Sequence, residues 1–333
     1  MRQFVPLWVS NEVVVTATPD VVRELAQQPG IERITSDAVD IVETGDPVAT
    51  PEPNVALIGA PTLWDLGHDG AGVVVAVLDS GVDITNPDLS ASYRGGTNSW
   101  FDPYGQHTAG PVDLSGHGTA TTGVAVGGGS GGTSIGVAPG ATWIAGRVFN
   151  DAGTATASAI HLALQWVLDP DGDPTTADAP AVVNNSWAFG TPGCNLEFQA
   201  DLQALRAADI VPVFAAGNYG PGAATSVSPA NYPEALSVGA TTNSDTIYAY
   251  SGRGPSACGQ PSTTYPDLVA PGVNIWSSDR GGLFSGCWRA PASRAPTVRR
   301  TRWSARRSTW APWGRTTPSV RVASTSPRRT PRW

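Results

Sequence analysis

Three polar side chains in this 333-residue sequence close or interrupt apolar and small-residue runs, where a reactive group can meet a substrate. Asp79 ends VVVAVLD, His117 stands between Gly116 and Gly118 in DLSGHGT, and Asn218 ends IVPVFAAGN. A buried carboxylate demands a partner, an imidazole flanked by glycines can act as a base facing a cleft, and an amide can donate a hydrogen bond into one. Each also has a plainer local reading. Asp79 suits a cap for the turn after a strand, since a buried carboxylate is costly unless paired. His117, with Thr119 and Thr121 beside it, opens a stretch of small residues; a lone histidine is more often a surface or satisfied core residue. Asn218 suits a turn residue ahead of Gly220. His68 in a turn, His107 in a loop and His161 in an amphipathic helix are weaker candidates for a base.

The elements that must hold these groups are legible in the pattern. Near-continuous apolar strands recur at 73–81, 142–149, 181–187, 210–218 and 235–242. Helical spacing fills TATASAIHLALQWVL (154–168) and NLEFQADLQALRAAD (195–209). Buried strands alternating with amphipathic helices predict a parallel sheet covered on both faces, with its site at the carboxyl ends of the strands. Upstream, EVVVTAT, PDVVRELAQQPG and IERITSD read as strand, helix and strand. The Pro-rich GDPVATPEPN (45–54) reads as a linker.

DSGVD, SGHGT and AAGN, in this order and over this span, resemble the motifs of the subtilisin-like serine proteases (subtilases). With FVPLWVSNEVVVTAT upstream, and NNSWAFG, YPEALSVGAT and DLVAPGVNIWSS later, the resemblance is to the bacillopeptidase F branch and covers about residues 5–286. It implies an α/β fold, a subtilisin-like doubly wound parallel sheet with helices on both faces, preceded by a small α+β propeptide-like unit. Residues 1–50 would be that inhibitory unit, N-terminally truncated, and 55–286 an incomplete catalytic domain. Asp79 would orient and charge-stabilise His117, which would take the proton of a serine nucleophile. Asn218 would donate to the oxyanion. Ser186, Trp187, Ala188 and Gly190, facing Ala215, Ala216 and Gly217, would form walls that hold a protein or peptide substrate as an added strand. The unit's own propeptide would be a second partner.

The family continues with GTSM and a helix of small residues. Here the chain reads SGCWRAPASR. If Gly286 matches the family's glycine, Cys287 replaces Thr and Trp288 replaces the nucleophile, and Ser285 lies on the wrong side. All 28 acidic residues lie at or before Asp279, whereas residues 281–333 hold 12 of the 20 Arg, six Pro and no acid. A frameshift explains both changes. The tail at 287–333 is expected to be disordered. The nucleophilic Ser is thus expected to be absent, leaving either an inactive endopeptidase or a non-catalytic peptide-binding pseudoprotease.

The acidic body repels nucleic acid and anionic membranes. Arg and Trp in the tail suit single strands, yet no folded nucleic-acid module accompanies them. No apolar run of about 20 residues spans a membrane. MRQFVPLWVSNEVVVTATPD lacks a signal-peptide layout, although the resemblance implies a secreted or extracytoplasmic protein. Of Cys194, Cys258 and Cys287, the first two pair in a disulfide or stay free thiols. The loop DPDGDPTTAD (169–178) offers carboxylates to a structural Ca²⁺ but departs from the known loop pattern and reads better as solvated acid; no cofactor or catalytic metal is expected.

Overall fold

The computed structural model describes residues 3–7, 12–36, 50–259, 264–289 and 319–324. The chain divides into two compact units, Met1–Asp46 with Val298–Trp333, and Pro47–Thr297. In the first, strands β1 (Gln3–Leu7), β2 (Glu12–Thr16) and β3 (Ile31–Ser36) and helix α1 (Pro19–Leu25) follow the expected strand–helix–strand pattern. Pro19 opens α1 because its missing N–H has no intrahelical partner to lose. Val15 and Ala17 pack there with Val21, Val22, Leu25, Ile31 and Ile34.

The last strand, β15 (Ser319–Ser324), lies between β2 and β3 and is antiparallel to both. The expectation of a disordered tail over 287–333 therefore fails at these six residues, and also at 287–289, which lie in a strand that begins at Leu283. SVRVAS alternates, with Val320 and Val322 two apart, a strand pattern that overall Arg and Pro content conceals. Residues 290–318 and 325–333 lie outside the described residues. The expected linker is also corrected from residue 50 onward. There β4 (Thr50–Pro51) pairs in parallel with β7 (Thr133–Ser134), and Pro53 begins α2 (Pro53–Leu57), followed by α3 (Ala60–Asp65).

The second unit is built on seven parallel strands. In chain order these are β5 (Val74–Asp79), β6 (Trp100–Phe101), β8 (Thr142–Arg147), β9 (Val182–Asn185), β10 (Val211–Ala215), β11 (Leu236–Thr241) and β12 (Leu268–Pro271). Their spatial order is β12-β11-β10-β9-β5-β8-β6. The chain fills one side of β5, then crosses it to begin β9. That reversal makes the carboxyl end of β5 a topological switch point, where open α/β sheets form a crevice.

Helices α6 (Ala157–Leu168) and α7 (Gln199–Ala207) cover one face. Leu78, Ile144, Leu164, Val167, Val183, Leu202 and Phe214 are fully buried between them and the sheet. Short α4 (Pro87–Ser90) and longer α5 (His117–Val126) serve the other face, where Val82, Leu89, Val126, Trp143 and Ala145 form a second cluster. Beside α5 runs β13 (Val273–Asp279), paired antiparallel with β14 (Leu283–Arg289). Gly123 lets β13 approach, since a Cβ there would strike the Ser277 hydroxyl.

Candidate active site

Asp79 ends β5 and is 1% exposed. Its Oδ1 accepts the Ser80 N–H at 2.7 Å and lies 2.6 Å from His117 Nδ1. A carboxylate only accepts, so Nδ1 carries the proton and Nε2 is the ring's basic nitrogen. His117 is the first residue of α5, and its side chain is 25% exposed. Burial opposes the imidazolium most strongly. The Asp79 charge, its hydrogen bond and the Asp113 charge together outweigh burial and hold the pKa above the ordinary 6.5.

Two glycines make this approach possible. Gly81 has φ 108°, and a Cβ there would meet the Val112 carbonyl. A Cβ on Gly118 would press into the Gly81 carbonyl oxygen and approach Asp79.

Asp113, which the sequence pattern did not single out, clamps the pair. It is 5% exposed and accepts from the Ser115, Gly116 and Thr119 backbone N–H groups, from the Thr119 hydroxyl and from the Ser80 hydroxyl. It thus satisfies the open N–H groups at the start of α5. Ser80 Oγ in turn accepts the Gly118 N–H, so one carboxylate ties the β5 turn to the helix that carries His117.

The expected walls follow β9 and β10. Val77 pairs with Asn184, and Asn185 with Phe214, so Asp79, Ser186 and Ala215 end neighbouring strands at one edge. Ser186 Oγ accepts from Asn184. Trp187 donates Nε1–H to the Leu78 carbonyl at 3.0 Å, tying this wall to β5. On the facing wall, Ala216 is 2% exposed; its carbonyl accepts the Tyr265 hydroxyl at 2.8 Å and its N–H donates to Val238. Gly217 has φ 83° and accepts the Gly252 N–H. Asn218 comes next, half-buried, and its amide makes no hydrogen bond to a described residue. The wiring therefore brings Asp79 and His117 into contact and delivers Asn218 to the same sheet edge, two strands away.

Trp187, Ala188 and Gly190 also line an apolar cavity of about 230 Å³, with Phe149, Ile160 and Phe198. The last three come from separate elements, and no local motif marks them.

Gly286 and Trp288, at the expected position of the nucleophile, lie within β14 opposite Trp276 and Ile275. Cys194 and Cys258 form a disulfide, resolving the open choice for that pair. The acidic loop gathers the Asp169, Asp171 and Asp178 carboxylates within 4.8 Å of one another. It leads from α6 into β9, at the opposite end of the strands from Asp79.

This is a parallel α/β sheet with an acid–imidazole pair at its switch point and the ends of β9 and β10 beside it. The model of the subtilase family matches residues 70–309, and the chain belongs to that family. It is 37% identical over 325 residues to bacillopeptidase F of Bacillus subtilis (strain 168), covering 87% of this chain and 22% of that protein. It is 29% identical over 294 residues to subtilisin E of the same strain, covering 86% and 68%. A crystal structure of a cold adapted subtilisin-like serine proteinase matches with TM-score 0.53 and 27% identity, over 67% of this chain and 71% of that one. The chain thus spans about a fifth of the length of the bacillopeptidase F it matches.

Proposed function

We propose that this chain carries the acid–base half of a serine endopeptidase site together with its peptide cleft, and that as written it lacks the nucleophile and breaks no peptide bond. Asp79 fixes the tautomer and orientation of His117. His117 is placed to accept a hydroxyl proton at Nε2 and return it to a leaving amine. Asn218 is the amide donor for an oxyanion. Ser186–Gly190 and Ala215–Gly217 are the strand-like edges for an extended peptide, and the 230 Å³ cavity takes one apolar side chain of it.

The observation that carries the inactivity is local: Gly286 and Trp288 pair in a strand instead of opening a helix, and neither side chain has a hydroxyl. Without a nucleophile, acylation has no route. A cleft that still binds peptide makes the chain a pseudoprotease by function and an endopeptidase by descent. The first unit is the propeptide-like part, supported by its small strand–helix–strand core. An extracytoplasmic setting fits the Cys194–Cys258 bridge.

Purified full chain incubated with casein and, separately, titrated with an extended apolar peptide amide tests this reading. The expected result is no casein turnover with measurable peptide binding. Turnover abolished by His117→Ala would refute the inactive reading, and no binding to any peptide would refute the cleft.

A further inference from the structure

Behind the apolar cavity lies an ion cluster that the Asp79–His117 chemistry does not use. His161 sits on α6 directly after the cavity-lining Ile160. Its Nδ1 meets Asp201 Oδ2 at 2.9 Å, and its Nε2 meets Glu197 Oε1 at 3.3 Å. Glu197 belongs to the segment leading into α7, and Asp201 to the first turn of α7. One ring therefore ties α6 to the stretch that supplies Phe198. The same ring stands edge-on to Phe198, with centroids 4.9 Å apart. Phe198 lines the cavity, stacks on Phe189 at 5.6 Å and meets Trp187 edge-on at 5.9 Å.

A neutral imidazole has one N–H. It can donate to one of these carboxylates and must turn a lone pair toward the other. The imidazolium donates to both, so the doubly bridged arrangement belongs to the charged ring. No other side chain of α6 ionises. From the facing segment come Glu197 and Asp201, with the Tyr232 phenol near both and bonded to the Asn195 carbonyl. Arg206 of α7 donates to the Glu234 carbonyl. Burial opposes the charge on His161 most strongly, but the Glu197 hydrogen bond and the Asp201 charge outweigh it and hold the pKa above 6.5. The side chain is 37% exposed and exchanges protons with solvent.

We propose that His161 is a positioning residue for the cavity: its two bridges hold Phe198 against Ile160 and Phe189 and set the width available to an apolar side chain. This rests on the reading of the cleft as a peptide site. Loss of the proton releases one bridge and relaxes the Phe198 side of the cavity. Discrimination between aromatic and small side chains then falls as pH rises through the His161 midpoint.

The full chain made with 4-fluorophenylalanine tests this by ¹⁹F NMR, with the Phe198 signal assigned through Phe198→Leu. The Phe198 shift is expected to titrate with the midpoint of the His161 ring protons and to stay flat in His161→Gln. His117 remains in that variant, so its own titration is controlled for. If His161→Gln does not fold, Glu197→Gln, which removes one carboxylate charge from the cluster, is expected to lower the shared midpoint. A Phe198 signal that ignores the His161 midpoint, or still titrates in His161→Gln, overturns the proposal.

In parallel, acetyl-Phe-Ala-Ala-Ala-amide and acetyl-Ala-Ala-Ala-Ala-amide are titrated calorimetrically at pH 5.5 and 8.5. Their affinity ratio is expected to fall at least threefold at the higher pH in the wild type and to stay constant in His161→Gln. A pH-independent ratio in the wild type counts against the proposal. A titrating Phe198 with neither peptide bound supports the positioning role and refutes the peptide reading; a flat Phe198 with bound peptide does the reverse.

Discussion

At the scale of single residues, the site is an Asp–His contact held in place by a second carboxylate. The Asp79–His117 hydrogen bond of 2.6 Å favours the protonated ring, despite burial. A raised folded pKa has a definite sign. Its stabilisation is fully present below the unfolded value near 6.5 and is lost as pH rises through the folded value. The His117 Cε1–H resonance should therefore titrate above 6.5 in the wild type and at lower pH in Asp79→Asn, followed by NMR. An equal or higher midpoint in Asp79→Asn would mean that Asp79 does not govern the ring.

Asp113 is the second residue-scale test. It accepts five hydrogen bonds from buried or part-buried donors. Asp113→Ala orphans several of them, and each buried unsatisfied donor costs about 1–3 kcal/mol. We expect a loss of stability of at least about 2 kcal/mol by urea denaturation, together with a weakened Asp79–His117 contact seen as a lowered His117 midpoint.

Elements carry the next level. The wall that begins at Ser186 continues into the loop bearing Cys194, and the disulfide fastens that loop to Cys258, 64 residues on. Closing so long a loop restricts the unfolded chain, an effect of about 2–4 kcal/mol. The double variant Cys194→Ser/Cys258→Ser should lower the free energy of unfolding by that amount and weaken peptide binding, because the end of the wall loses its anchor. Unchanged peptide affinity in a folded double variant would separate the bridge from the cleft.

The elements themselves were largely legible. Apolar runs marked β5, β8, β9, β10 and β11, and the helix expected at 154–168 begins only at Ala157 because Thr156 stands outside it as the cap, accepting from Ala159 N–H. Asp79, His117 and Asn218 stood out because each follows or breaks a run of one character. Asp113 did not, because its partners Ser80 and Thr119 reach it only once β5 and α5 are packed. Phe149, Ile160 and Phe198 escaped for the same reason: the cavity exists only where α6, the β9 loop and the approach to α7 meet. The strand at 319–324 is masked by the Arg and Pro of the tail around it, although its own residues alternate.

Over the whole molecule, the two faces of the sheet are unequal. Val183, Pro212 and Phe214 are buried under α6 and α7, whereas Val182, Val211, Val213, Leu236 and Val238 on the other face are only partly covered among the described residues. On that face α5 shelters β5 and β8. At the edge, Leu268 and Val269 are each 53% exposed. Apolar surface of this kind favours association. Charge is divided as unevenly, with every acidic residue at or before Asp279 and 12 Arg beyond residue 280.

We propose that a folded subtilase scaffold presents a base, an oxyanion amide and a cleft without a nucleophile. Incubating the full chain at pH 8 with a fluorophosphonate probe, which reacts with a serine activated by a neighbouring histidine, and weighing the intact protein tests this most directly. Unmodified mass is expected; a single covalent adduct mapped to a serine, and lost in His117→Ala, would show that the chain does carry a serine nucleophile.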